Sequence, residues 1–107
     1  MAEIKFSDDN FESEVLGFEG PVLVDFFADW CGPCQMQGPI VEALANDLEG
    51  KNIKVGKLNV DENPKMSEKF EIMSIPTLII FKDGQVKETL HGVHGKDDLK
   101  DKLEALV

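Results

Sequence analysis

The sequence predicts a mixed α/β fold in the order βαβαβαββα: a largely parallel sheet covered by helices, with an antiparallel hairpin at one edge. Three observations predict it. Pro21–Ala28 is almost continuously apolar, as a strand covered on both faces should be. The residues Ile40, Val41, Leu44, Ala45 and Leu48 then recur at spacings of three and four, which is helical. Finally, two β-rich segments, Thr77–Phe81 and Val86–His91, flank Lys82-Asp83-Gly84-Gln85, a strong hairpin signal.

The remaining elements follow in order. Ile4-Lys5-Phe6 is a short first strand. Ser7-Asp8-Asp9 is a helix-start cluster leading into Phe11, Val15 and Leu16, which share one helical face, and Gly17 and Gly20-Pro21 close that segment. The second helix runs from Cys34 to Leu48, with Pro39 inside it and Gly50 ending it. Ile53–Val60 reads as a strand, and Asp61–Phe70 as a short helix that tolerates Pro64 near its start. Leu99, Leu103 and Leu106 form the apolar stripe of a final helix. Asp8-Asp9 and Asp97-Asp98 sit at helix starts, where negative charge complements the dipole.

The chain has 107 residues and is 42% apolar, within the size and composition of one globular domain spanning residues 1–107. Its net charge is −10, from 21 acidic residues against 11 lysines and no arginine. That balance lacks the basic footprint of a nucleic-acid binder and disfavours anionic membrane surfaces. No apolar run approaches the roughly 18 residues of a membrane span. The start, Met1-Ala2-Glu3-Ile4-Lys5-Phe6, does not read as a signal peptide. A soluble intracellular domain is the expectation.

Cys31 and Cys34 are the only cysteines. A secreted disulfide scaffold would carry more, widely spaced. Trp30-Cys31-Gly32-Pro33-Cys34 falls where the buried strand ends and a helix begins. There the first amides lack partners and the helix carries partial positive charge, which stabilises a thiolate. An ordinary cysteine, with pKa about 8.5, is only roughly 3% ionised at pH 7, and such surroundings pull that pKa down. Residues three apart in a helical turn have α-carbons roughly 5–6 Å apart, within the range of a disulfide. Cys31, at the open end, can therefore attack a substrate disulfide, and Cys34, one turn inside, can resolve the product. Pro33 stiffens the turn where its missing N–H costs little.

Other readings of the pair stand beside this one. The cysteines can be a structural pair, or zinc ligands together with His91 and His94, although that spacing falls outside the usual finger pattern. Haem attachment requires a histidine after the second cysteine, and Gln35 stands there. Asp25 is the sole charge in an otherwise apolar strand. Burial raises a carboxyl's pKa, which suits a group exchanging a proton near neutrality.

Phe26-Phe27-Ala28-Asp29-Trp30-Cys31-Gly32-Pro33-Cys34, with Ser74-Ile75-Pro76-Thr77 and Lys57–Pro64, closely resembles the thioredoxin family over about Ile4 to Leu106. The resemblance implies a central five-stranded mixed sheet flanked by four helices, with the dithiol exposed at a strand's carboxyl end. It implies a general protein-disulfide reductase, a monomer of the cytoplasm, carrying electrons from a thioredoxin reductase to disulfide-containing target proteins. No separate cofactor or metal is implied; the redox group is the Cys31–Cys34 pair. Cys31 maps to the nucleophile and Cys34 to the resolving thiol. Gly32 and Pro33 map to the dipeptide that tunes reduction potential, and Pro76 to the family's cis-proline. Trp30, Ile75, Pro76, Thr77, Gly92 and Val93 map to the substrate surface. Asp25 maps to the group that assists deprotonation of the resolving cysteine, with Lys57 as the lysine beside it.

The alternative function is a redox-gated binding module whose dithiol surface docks a partner without turnover. Three departures from the family pattern stand out. Phe27 replaces a frequent tryptophan, Phe70 a common tyrosine, and Gln35 the usual lysine or arginine. Losing that cation, with Asp29 and Asp61 nearby, disfavours a thiolate and implies weaker binding of acidic partners.

Overall fold

The computed structural model describes residues 2–107. Five strands, β1 (Ile4–Lys5), β2 (Pro21–Phe27), β3 (Lys54–Asn59), β4 (Thr77–Lys82) and β5 (Gln85–His91), form one sheet in the order β1-β3-β2-β4-β5. β1, β3 and β2 run parallel, and β4 and β5 are antiparallel to their neighbours. The helices are α1 (Gly32–Asp47), α2 (Pro64–Lys69) and α3 (Lys96–Glu104). The expected helix after β1 is instead a π-helical segment, Glu12–Leu16, closed by a bond of 2.7 Å from the Gly17 N–H to the Glu12 carbonyl.

Side chains of a strand alternate between faces, and β2 shows what that does here. Val22, Val24 and Phe26 join Phe6, Phe11, Val15, Leu58, Ile79 and Phe81 on one face. Leu23 faces the other way, against Val41, Leu44 and Leu48 of α1 and Leu99 and Leu103 of α3. Asp25 follows the Leu23 parity and is therefore delivered to the α1 side. Phe70 packs on the first face, with ring centroids 5.4 Å from both Phe11 and Phe81. A phenylalanine suffices there because its neighbours are aromatic rings.

One boundary and one cap differ from expectation for visible reasons. α2 begins at Pro64 rather than Asp61 because Asn59 Oδ1 accepts the amides of Asp61 (2.9 Å) and Glu62 (3.3 Å), holding them in a turn. Asp8 does not cap the segment that follows it. Its carboxylate accepts the Lys65 and Met66 amides of α2 at 3.2 and 2.9 Å, while Ser7 and Asn10 cap each other locally. The β4–β5 turn keeps its predicted form, with Asp83 and Gly84 at φ 53 and 80. A Cβ at Gly84 would collide with the Leu16 carbonyl.

Candidate active site

β2, the central strand, ends at Phe27, so the following turn lies at its carboxyl end and leads directly into α1. The Cys31 N–H donates to the Ala28 carbonyl at 3.2 Å, folding the chain back so that Cys31 becomes the N-cap of α1. Its sulfur accepts the Cys34 amide at 3.2 Å. A helix normally begins with a side-chain oxygen taking that amide, and here Cys31 Sγ does so. Cys31 and Cys34 are joined by a disulfide, with α-carbons 5.2 Å apart.

The expectation of an exposed pair needs correction. Each cysteine is only 4% exposed, packed with Ala28 against Phe27, Val60 and Ile75. What is open is the rim: Trp30 is 72% exposed, and Gly32 and Pro33 are exposed. The two residues are equally buried, and they differ in that Cys31 Sγ accepts the Cys34 amide.

Across the rim, Cys31 Sγ lies 3.6 Å from the Ile75 carbonyl, and the Ile75–Pro76 peptide is cis. Ile75 is half-buried, but Pro76 and Thr77, expected on the substrate surface, are buried. Thr77 Oγ1 donates to the Ser74 carbonyl (2.6 Å) and lies 3.3 Å from His91 Nδ1, so it shapes the loop from beneath. The Gly92 N–H donates to the Pro76 carbonyl at 3.0 Å, and Val93 beside it is exposed. Gln35 is exposed and donates to the Asp29 carbonyl (3.0 Å), while Trp30 Nε1 donates to the Asp61 carboxylate at 2.8 Å. His91 and His94 do not approach the cysteines as a ligand set; among the described residues no three His, Cys, Asp or Glu side chains cluster as a metal site.

Asp25 is 1% exposed, and its Oδ1 has no hydrogen-bond partner among the described residues. It shares a cleft of about 250 Å³ with Cys34, walled by Phe27, Gly38, Pro39 and Lys57. Burial, then the Glu3 carboxylate, push the Asp25 carboxyl up to about 7, with Lys57 pulling partly the other way. Lys57 is the register partner of Asp25 across the parallel strands. Its ammonium nonetheless pairs with Glu3 at 3.7 Å and lies 5.5 Å above the Phe27 ring. Glu3 is itself raised, chiefly by burial.

Residues 2–105 match the family model described as thioredoxin. A thioredoxin of Staphylococcus aureus (strain Mu50) is 50% identical over 104 residues, covering 97% of each chain. One from Staphylococcus saprophyticus is 48% identical over the same span and coverage, and one from Rickettsia bellii is 52% identical over 93 residues, 87% of this chain and 88% of the relative. The chain belongs to the thioredoxin family. It is a protein-disulfide reductase whose redox group is the Cys31–Cys34 disulfide, on the thioredoxin fold.

Within that thioredoxin frame, two residues carry weight that pattern reading missed. Gln37 is fully buried; its side chain donates to the His94 carbonyl (3.0 Å) and accepts the His94 amide (2.7 Å). It thus ties the Gly92–Gly95 loop to α1. A polar residue three after Cys34, on the helix face that continues through Val41 and Leu44, was the available signal. Glu3 had none, since its partner lies 54 positions away by difference of residue numbers (57 − 3).

Proposed function

We propose that the reduced protein works by two successive thiol–disulfide exchanges. The Cys31 thiolate attacks one sulfur of a target disulfide, forming a mixed disulfide and expelling the first target thiolate, which takes up a proton from solvent. Cys34 passes its thiol proton to the Asp25 carboxylate through their shared cleft, whose volume of about 250 Å³ has room for water. The Cys34 thiolate then attacks Cys31 Sγ, breaking the mixed disulfide and expelling the second target thiolate. Two electrons have passed to the target, and Cys31–Cys34 is the oxidised product.

The observation that carries the division of labour is the Cys34 amide bonded to Cys31 Sγ at the start of α1. A donor and a helix terminus aimed at one sulfur favour its thiolate. Cys34 lies inside the helix, where the buried carboxyl is its acid–base partner. Asp25 near 7 is populated in both forms at neutrality, the condition for accepting a proton and later returning it.

Trp30, Ile75, Gly92 and Val93 receive the target backbone around the dithiol, and Pro76 and Thr77 support them from below. Gly32 and Pro33 set the reduction potential. A thioredoxin reductase returns the disulfide to the dithiol, and the protein acts as one domain over residues 1–107 in the cytoplasm, a compartment poised to keep such a pair reduced.

Insulin reduction with dithiothreitol as electron source tests the scheme. Cys31→Ser should abolish turnover, and Cys34→Ser should accumulate a stable mixed disulfide through Cys31. Trapping through Cys34 instead would reverse the assignment. Asp25→Ala should slow the resolving step, and unchanged single-turnover kinetics across neutral pH would remove Asp25 from the proton path.

A further inference from the structure

We propose that Glu3 is a positioning residue for the proton step at Asp25: by pairing with Lys57 it holds the ammonium off Asp25, so the buried carboxyl faces Cys34 without a counter-ion. The kinetic consequence rests on the proton role proposed above for Asp25; the placement of Lys57 does not.

β3 lies between β1 and β2, so Lys57 is in register with Lys5 on one side and Asp25 on the other. Register partners project to the same face. Glu3, two residues before Lys5, brings a second carboxylate within reach of the Lys57 side chain, and the ion pair is made there, at 3.7 Å. The choice has a physical reason. The Glu3 and Lys57 side chains retain 13% and 43% exposure, so the ammonium keeps part of its hydration, whereas Asp25 is 1% exposed. Moving the ammonium inward to Asp25 would strip that hydration and also vacate the contact above Phe27.

The charged and titratable neighbours of Asp25 come from every side. β3 supplies Lys57, the segment before β1 supplies Glu3, the turn after β2 supplies Asp29, and α1 supplies Cys34, with Glu42 acting on Glu3. β4 places Leu78 opposite Asp25, and α3 lines this face with Leu99 and Leu103, none of them charged. Lys5 on β1 shares that face one strand further out, so Lys57 is the cation nearest Asp25, and Glu3 decides where it points. Removing Glu3 frees Lys57 to approach Asp25, and Asp25 would then ionise at lower pH. It would then be a weaker base toward the Cys34 proton, accepting it less readily and giving it up more easily once protonated.

The test follows the Asp25 carboxyl by carbon-detected NMR titration in the full oxidised chain. Glu3→Gln, Lys57→Met and the double variant are compared with the parent. Glu3→Gln should lower the Asp25 midpoint by about 1 pH unit. In the Lys57→Met background the same change should lose roughly half or more of its effect. An unmoved midpoint in Glu3→Gln overturns the proposal, as does an equal fall with and without Lys57, which would make Glu3 only a like charge at a distance. The pH profile of mixed-disulfide resolution separates the two readings. If the NMR midpoint moves and the profile follows, both stand; if the midpoint moves and the profile stays, Glu3 positions Lys57 as proposed but Asp25 is not the proton carrier.

Discussion

Burial of Asp25 couples folding to proton uptake. The unfolded carboxyl ionises near 3.8, the folded one near 7, so between those values the folded state holds a proton that the unfolded state has lost. Stability consequently falls as pH rises through that window and levels off above it; the whole effect is about 4 kcal/mol. Asp25→Asn removes it, and urea unfolding should find the variant's gain larger at about pH 8 than at about pH 5, by about 2–3 kcal/mol. Equal gains would mean that Asp25 titrates normally. At the rim, Gln35 is exposed beside Asp29 and close to the start of α1. Gln35→Lys adds a cation near the attacking sulfur, and alkylation of Cys31 at neutral pH should speed up a few-fold; an unchanged rate would count against any role for the missing charge.

At the level of elements, the site depends on contacts between parts distant in sequence. Asp8 holds the first turn of α2, and Asp8→Ala should cost about 1 kcal/mol in denaturant unfolding. Gln37 makes both of its bonds to the His94 backbone. Gln37→Leu should cost about 2 kcal/mol and release the Gly92–Gly95 loop. Its kinetic signature should be a raised KM for a protein disulfide with little change toward a small aliphatic one, which does not span the loop. A parallel loss with both substrates would point to general destabilisation.

These contacts also mark where the sequence stopped being legible. The covered β2, the α1 periodicity, the Asp83-Gly84 turn and the strand–helix junction at Cys31 are local patterns, and each appears in the fold as read. The Asp8 cap on α2, the Gln37 clamp and the Glu3–Lys57 pair are each set by tertiary neighbours. Lys57 shows the difference most plainly. Its proximity to Asp25 follows from strand register, but the direction of its ammonium depends on a residue before the first strand.

For the molecule as a whole the net charge is −10, and the rim itself carries a carboxylate where Asp61 holds Trp30. Association with cationic disulfide targets should therefore be faster than with anionic ones at low ionic strength, and the difference should shrink as salt is added. Matched disulfide peptides of opposite charge, reduced at several salt concentrations, would measure it. Identical rates for both peptides would mean that the overall field does not reach the site.

Trp30 is the only tryptophan, and the chain contains no tyrosine. It is 72% exposed, adjoins the reacting cysteine, and is anchored by its indole N–H to Asp61. The molecule thus carries a single ultraviolet chromophore of that class, placed one peptide bond from the chemistry. Because a neighbouring disulfide quenches indole emission, each passage between the two redox forms should register as a change in brightness, making the unlabelled protein its own stopped-flow signal.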